Sequence, residues 1–494
     1  MKPKYSVIER AIFLGVVALV FLVPFAFAGN RLFLMSAIVC WVMLLAMLWL
    51  TGWVTGNIEP GPGLRRGAVP ITLLVCWIAV VVVQLSPIPL DVARAIAPGS
   101  ARAYHDASLA AQSPWTYISI ERDETTQYLY LSIAYIGLIA LILAVVKDGQ
   151  TLASLCMCVV LSGSLQAGFG IAMHFAGAQY TLFFKEVSHQ ANVTGGFVNR
   201  NSLAAFLEIG LGCGVGLMVS QFGTGRVRSL KQRVRWLVDL MLGPKFRLRV
   251  LLVIMVLGLI LTKSRMGNGA FFACTLIVGA LGLLLMRNSG RAITAFLASM
   301  IAFDILVLGS WFGVDQVAKR IEETTISKGV KAGVDKGEES LQERGIPAST
   351  ILPAWKEFPV FGSGSGTFSY LYPNYRPPDP PGFYEHAHND YAEFLIEGGG
   401  VGFGALAALY AATLFAALRA MYVRSDQTRR GIAMGCVFSL VSIAMHQAVD
   451  MPLQIPANAV VMCVVVAMSW LCLVPGGSGR GYRHGREQRP SVDE

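Results

Sequence analysis

The string His386-Ala387-His388-Asn389-Asp390-Tyr391 gathers the residue types best able to do chemistry at neutral pH. Histidine is the side chain suited to take a proton there. In an extended stretch His386 and His388 share one face, whereas in a helix they diverge. Asn389 and Asp390 are good helix caps, so a helix is expected to begin at one of them, with His388 held just ahead of its first turn. A metal site is the rival use of two histidines. It is weakened because His105 and His189 are distant in sequence and supply no ligand spacing. A histidine pair merely hydrogen-bonded at a helix start is the plain alternative.

Two arginines call for the same scrutiny. Arg200 sits in GGFVNRNSLAAFL and Arg265 in LTKSRMGNG, each in a short connector beside a long apolar run. A guanidinium grips phosphate bidentately; snorkelling to lipid headgroups is the alternative. Asn201 beside Arg200, Asn389 and Arg376 of PNYRPPDPP are supporting candidates. His446 and Asp450, four apart, are expected on one helix face, as a functional pair or a structural one. Glu397 heads a run of small residues and is expected to be a structural hydrogen-bond partner. Gly362, Gly364 and Gly366 alternate, which permits unusual dihedrals and close backbone approach, in a flexible turn or a phosphate cradle. No DxD occurs, so nothing marks the divalent-cation site of a sugar-nucleotide transferase.

The elements that must hold these residues are membrane helices. Apolar residues make up 54% of the 494 and charged residues only 14%, well below a soluble domain. They fall in runs long enough to cross the hydrocarbon, where backbone must be helical. Twelve spans are expected, near 11–28, 32–51, 68–86, 128–146, 152–175, 201–220, 249–262, 268–286, 292–311, 398–418, 431–447 and 457–474. The first follows Lys2, Lys4 and Arg10 like a signal peptide. No small-residue cleavage site stands out and a second span follows at once, so it is taken as a helix. The seventh is short and is expected to begin earlier, with Arg247 and Arg249 snorkelling.

Orientation follows from Lys and Arg. With the N-terminus inside, 24 of the 40 fall in inner segments. Most of the rest lie in two long loops where the rule does not count. Both termini are therefore expected inside, which places Arg200, Arg265 and the histidine string outside. The net charge of +10 is then mainly a topology signal. Its densest patch, Arg226 to Arg249, is open to anionic lipid, and nothing points to nucleic acid. All nine cysteines lie in expected spans, as small membrane-core residues rather than a disulfide framework or zinc site.

Four regions follow: residues 1–311 with nine spans and an outer loop near 87–127, a large outer loop at 312–397, three spans over 398–474, and a disordered inner tail at 475–494. The large loop changes character midway. A charged stretch at 313–345 gives way to AWKEFPVFGSGSGTFSYLYPNYRPPDPPGFYEHAHNDY, whose Pro-rich part should run extended toward the histidines.

With these segments in view, the chain resembles the O-antigen ligase and O-antigen polymerase superfamily of bacterial envelope enzymes. The matching pieces are TYISIERDETTQYLYL, GGFVNRNSLAAFL, LTKSRMG, WKEFPVFGSGSGTF, EHAHNDYAEFLIEGGGVG and HQAVDMPLQIPANA, in the family's order from about residue 85 to 460. HxHNDY followed by ExGxxG is the specific one. The resemblance implies a GT-C-type, metal-independent glycosyltransferase of the inner membrane that needs no cofactor. Such an enzyme takes a glycan from undecaprenyl diphosphate on the periplasmic face. A ligase passes it to lipid A–core; a polymerase passes it to a second lipid-linked unit. By position His388 is the implied essential histidine, Arg200 and Arg265 hold the donor diphosphate, and His386 is less strictly required. A twelve-helix transporter is the rival class. Transporters place their site at the midplane between repeated halves, whereas these halves are unlike and the polar residues gather in outer loops.

Overall fold

A computed structural model of the chain describes residues 5–107, 114–177, 180–181, 184–185, 192–197, 199–221, 244–286, 341–376 and 384–475. Eleven helices correspond to expected spans: α1 Val7–Leu22, α2 Leu32–Val54, α3 Ala68–Leu85, α4 Arg122–Val145, α5 Gly149–Phe175, α6 Arg200–Ser220, α7 Pro244–Leu261, α8 Arg265–Leu285, α9 Asp390–Val423, α10 Gln427–His446 and α11 Pro456–Leu471. Among the described residues, nine helices are long and apolar enough to cross a membrane. The chain is an all-α polytopic membrane protein. As expected, α7 starts before residue 249. The span expected at 292–311, most of the charged stretch, the basic patch before residue 244 and the tail beyond Pro475 lie outside the described residues.

The bundle is organised around α6, whose apolar window is entirely buried. A spanning helix with no lipid face must meet neighbours all round, and small residues let it. Gly212 and Gly216 on α6 face Gly435 and Gly431 on α10. A Cβ at Gly216 would lie 2.7 Å from the Gly431 carbonyl oxygen, and one at Gly435 2.6 Å from that of Gly212. The two four-residue repeats run antiparallel, the close-packed geometry that small residues permit in membranes. Higher up the same seam, Ser439 Oγ donates to the Ile209 carbonyl at 3.1 Å. This seam brings the C-terminus of α10 to the N-terminus of α6.

Helix direction alternates from α1 to α8 and again from α9 to α11, so the helix ends collect in two groups. At one end α1, α4 and α5 meet: Lys147 Nζ lies 2.5 Å from Glu9 Oε1, and Tyr5 donates to Asp148 at 2.9 Å. At the other, the motif end, the turn before α6 packs on Phe25, and Asn458 at the start of α11 donates to the Ser202 carbonyl at 3.2 Å.

The two long loops dock on each other at the motif end. Ile351, Ala354, Phe358, Phe368, Leu371 and Tyr372 form a small core with Ala387, Ala392 and Ile396. Gln84, buried at the end of α3, donates to the Phe361 and Glu397 carbonyls at 2.5 and 2.7 Å. Its own Oε1 accepts from Ser365 N at 3.2 Å. From the first loop, Ile120 N donates to the Ser363 carbonyl at 2.9 Å, and Thr125 Oγ1 to that of Ser365 at 3.0 Å.

This docking explains the alternating glycines. Gly362, Gly364 and Gly366 all have positive φ, as does Gly399 inside α9. At Gly399 (φ 63, ψ −171) the helix breaks. The break frees the Ile396 and Glu397 carbonyls, which accept from Ser363 N and Gly364 N at 2.9 and 3.2 Å. Beyond it, Gly400 N and Val401 N donate to the Pro359 and Val360 carbonyls at 2.9 and 3.1 Å. A side chain at Gly362 would collide with the Glu397 backbone. The glycine run is a splice between loop and helix, with the Ser363, Gly364 and Ser365 amides spent on protein carbonyls.

Candidate functional site

The helix start falls where capping chemistry predicts. α9 begins at Asp390 with Asn389 as N-cap, its Oδ1 accepting from Ala392 N at 3.0 Å. The same segment grips the turn after α10. Asn389 Nδ2 donates to the Ala448 carbonyl at 2.8 Å, Tyr391 OH to that of Ala444 at 2.7 Å, and Asp390 N to that of Gln447 at 3.1 Å. Leu453 N returns a hydrogen bond to Asp390 Oδ2 at 3.0 Å. The motifs HNDY and HQAVDMPL thus form one hydrogen-bonded unit, although some sixty residues separate them.

Within it the two histidines part company, neither sharing an extended face nor lying in the helix. His388 has φ +50, a left-handed conformation uncommon for a residue with a Cβ, and the alternation of an extended chain is lost. The His386 ring turns inward, with Nδ1 2.7 Å from Glu393 Oε1. The His388 ring turns to Asp450, with Nδ1 3.5 Å from Oδ1, too long for a hydrogen bond, and among the described residues that buried nitrogen has no other partner. The cause of the turn is Glu393. Its second oxygen accepts from Ala387 N at 2.8 Å, so one buried carboxylate holds the residues on the N-terminal side of His388 while Asn389 and Asp390 fix the other. Backbone strain of this kind persists when surroundings over-determine it, and it clusters at functional sites.

Aromatic rings complete the seat. Phe368 stacks on Tyr372 at 5.2 Å between centroids, Tyr372 meets Tyr384 edge-on at 5.7 Å, and Tyr384 meets the His388 ring edge-on at 6.3 Å. Burial disfavours the charged form of His386, and contact with the Glu393 carboxylate outweighs it. The hydrogen bond to Glu393 and the nearby Glu385 and Glu397 add to this, so that His386 is raised to about 9. His386 is therefore a cation at neutral pH, bound in an ion pair, and is unsuited to take a proton there.

Arg200 and Arg265 hold equivalent positions, each the first residue of its helix. Asn199 caps α6 by accepting from Asn201 N, and Ser264 caps α8 by accepting from Gly267 N at 3.2 Å. A helix N-terminus carries partial positive charge. The two N-termini lie close together: a Cβ at Gly267 would sit 2.7 Å from Ala204 Cβ and 3.2 Å from Glu208 Oε1. Two guanidinium groups on two adjoining positive helix ends make a setting for an anion.

His446 and Asp450 are one turn apart, Asp450 N donating to the His446 carbonyl at 3.1 Å, but their side chains take different partners. α10 ends at His446 and the chain turns, so Asp450 points to His388. His446 pairs instead with Glu208 of α6, Nδ1 to Oε1 at 2.7 Å, both fully buried; Ser442 donates to the other oxygen. Asn201 is buried, with Nδ2 unpartnered among the described residues. Arg376 is exposed at the edge of the described residues, and among those residues no contact links it to the histidines. Glu397 is structural, as expected: its Oε1 accepts from Phe368 N at 3.1 Å.

Sequence reasoning missed Glu393, Tyr384 and Glu208. Two of them carried a signal. Asp390, Glu393 and Glu397 fall at i, i+3 and i+7 on one helix face, and Glu208 interrupts the apolar run LAAFLEIGLG. A carboxylate in a membrane helix implies a partner.

Against known proteins, residues 250–407 match the family model for O-antigen ligase. No curated protein matches the chain. The matched segment contains Arg265, the spliced glycine run and the whole histidine string, and the match is consistent with the resemblance to the O-antigen ligase and polymerase superfamily.

Proposed function

We propose that the chain is a glycosyltransferase of the bacterial inner membrane that takes a glycan from undecaprenyl diphosphate on the periplasmic face. As an O-antigen ligase it would pass that glycan to a hydroxyl of lipid A–core in lipopolysaccharide biosynthesis. The O-antigen ligase match supports the reaction class. The observation that carries the residue assignment is the seat of His388, a strained histidine fixed on both sides, with Asp450 at 3.5 Å and Tyr384 at its edge.

In this reading His388 is the general base. As the acceptor oxygen bonds to the anomeric carbon, its proton passes to the imidazole. The bond from that carbon to the diphosphate oxygen breaks, and the electron pair leaves on undecaprenyl diphosphate. Asp450 steadies the imidazolium that forms. Arg200, Arg265 and the N-termini of α6 and α8 meet the growing charge of the leaving group, a preorganised electrostatic role. They supply the positive charge that a divalent cation gives sugar-nucleotide enzymes, so the proposed transfer is metal-independent. An apolar cavity of about 180 Å³ between α1 and α2 suits an isoprenoid tail; it is lined by Leu19, Leu22, Val23, Ile38 and Trp41.

Transfer of glycan from a purified lipid-linked donor by the reconstituted chain tests this. His388→Ala is expected to lower the rate by ~10²–10⁴-fold with insertion unchanged; near-normal transfer would sink the assignment. A deletion strain separates the acceptors. A ligase leaves lipid-linked polymer accumulating with none on lipid A–core, and a polymerase leaves a single capped unit.

A further inference from the structure

The end of the bundle opposite the histidines carries a second concentration of cations. Most of them are spent on protein groups. Lys147 pairs with Glu9 at 2.5 Å and Arg429 with Asp426 at 2.8 Å. Arg430 donates to the Met421 and Leu285 carbonyls at 3.0 and 3.2 Å, and Arg424 Nη2 to that of Leu473. Arg66 and Arg419 differ. Among the described residues neither has a hydrogen bond or ion pair, and both line one cavity of about 400 Å³ together with Arg424. Arg66 closes the short helix Pro62–Arg66 before α3, Arg419 lies in the last turns of α9, and Arg424 follows its end. Burial, together with the neighbouring Arg429, Arg66 and Arg419, pushes the Arg424 guanidinium down from its usual value, so these like charges are held against their own repulsion.

The rest of the wall is apolar: Phe415, Val423, Trp470 and Leu473. Phe415 and Val423 are 63% and 49% exposed on a helix that spans the membrane. The cavity sits where α9 and α11 end and α3 begins, at the ends of spanning helices, and Trp470 is the residue type favoured at membrane interfaces. A converging set of arginines above apolar walls, open to lipid, matches a phosphate carrying acyl chains.

We propose that this cavity is a binding site for the phosphate of an anionic membrane lipid, held by Arg66, Arg419 and Arg424. It is independent of the transfer reaction proposed above. The full-length chain in detergent is titrated with phosphatidylglycerol, phosphatidylcholine or inorganic phosphate, following thermal unfolding and bound lipid by native mass spectrometry. Phosphatidylglycerol is expected to raise the melting temperature and remain bound, and phosphatidylcholine to do neither. Arg66→Gln with Arg419→Gln is expected to weaken phosphatidylglycerol binding at least tenfold, while Arg66→Lys with Arg419→Lys, which keeps the charge, retains most of it. Inorganic phosphate alone reproducing the full shift would support the phosphate site with a soluble source. Equal binding of the two lipids by the wild-type chain, or wild-type affinity in the Gln variant, would overturn the proposal.

Discussion

The two ends of the bundle handle buried charge in different ways. At the motif end carboxylates meet histidines: Glu393 with His386, Glu208 with His446, Asp450 beside His388. At the opposite end carboxylates meet permanent cations, Glu9 with Lys147 and Asp426 with Arg429. A lysine or arginine partner fixes a charge for good and serves assembly. A histidine partner leaves a proton that can move. Among the described residues, histidine–carboxylate pairs thus gather at the motif end and permanent-cation pairs at the other, and substitutions should divide accordingly, with losses of turnover around His388 and losses of stability around Glu9.

After the loss expected for His388→Ala, the largest effect should come from the arginines. Arg200→Ala or Arg265→Ala is expected to lower kcat/KM by ~10–10²-fold, the loss of a charge-assisted hydrogen bond of about 1.5–3 kcal/mol. Lysine should restore part of it, since it keeps charge without the bidentate fork. Transfer within twofold of wild type for either alanine variant would break the comparison. Glu393→Ala comes next. It acts through His388, so kcat should fall about tenfold while KM for the donor holds, the signature of an interaction felt only in the transition state. Glu393→Gln, which still accepts from Ala387 N, should recover much of the loss. A rise in KM with kcat unchanged would argue against a positioning role.

At the opposite end, Glu9→Gln should cost about 1–2 kcal/mol of stability, because Glu9 is buried while Lys147 is partly exposed. Transfer per folded molecule should be unchanged, which a melting curve and an active-fraction assay separate. The smallest effect concerns pH. His386 stands at about 9 against an ordinary 6.5. A raised value means that its ion pair contributes fully below about pH 6.5 and is lost as pH rises through about 9. The melting temperature should therefore fall more between about pH 7 and about pH 9.5 for wild type than for His386→Gln. Parallel curves would show that the pair adds nothing.

Much of this was legible in the sequence because it is local. Hydropathy placed the spans, and the Asn-Asp pair placed the start of α9 beside His388. What escaped depends on residues distant in the chain. The pairing of His446 with Glu208 needs two helices brought together by the glycine seam, and periodicity alone pointed His446 to Asp450 instead. The spacing itself holds, since Asp450 N donates to the His446 carbonyl at 3.1 Å, but it could not show that the two side chains meet Glu208 and His388. The left-handed His388 was hidden for a similar reason: its conformation is imposed by Glu393 and by the turn after α10. The alternating glycines announced unusual dihedrals, and positive φ bears that out, but their docking on a helix break was not visible without Gly399 in place.

That docking limits how the molecule can be recombined. Residues 359–364 and the two sides of Gly399 exchange backbone hydrogen bonds and leave no room for a side chain at Gly362 or Gly399. The large loop is therefore not an appendage that can be cut at the helix start and grafted onto a relative. A chimaera joined at residue 389 would separate donors from acceptors and leave bare carbonyls beneath the loop. One joined beyond Val401 would carry the whole interlock, so successful exchanges of the loop should have their crossover points inside the membrane helix that follows it.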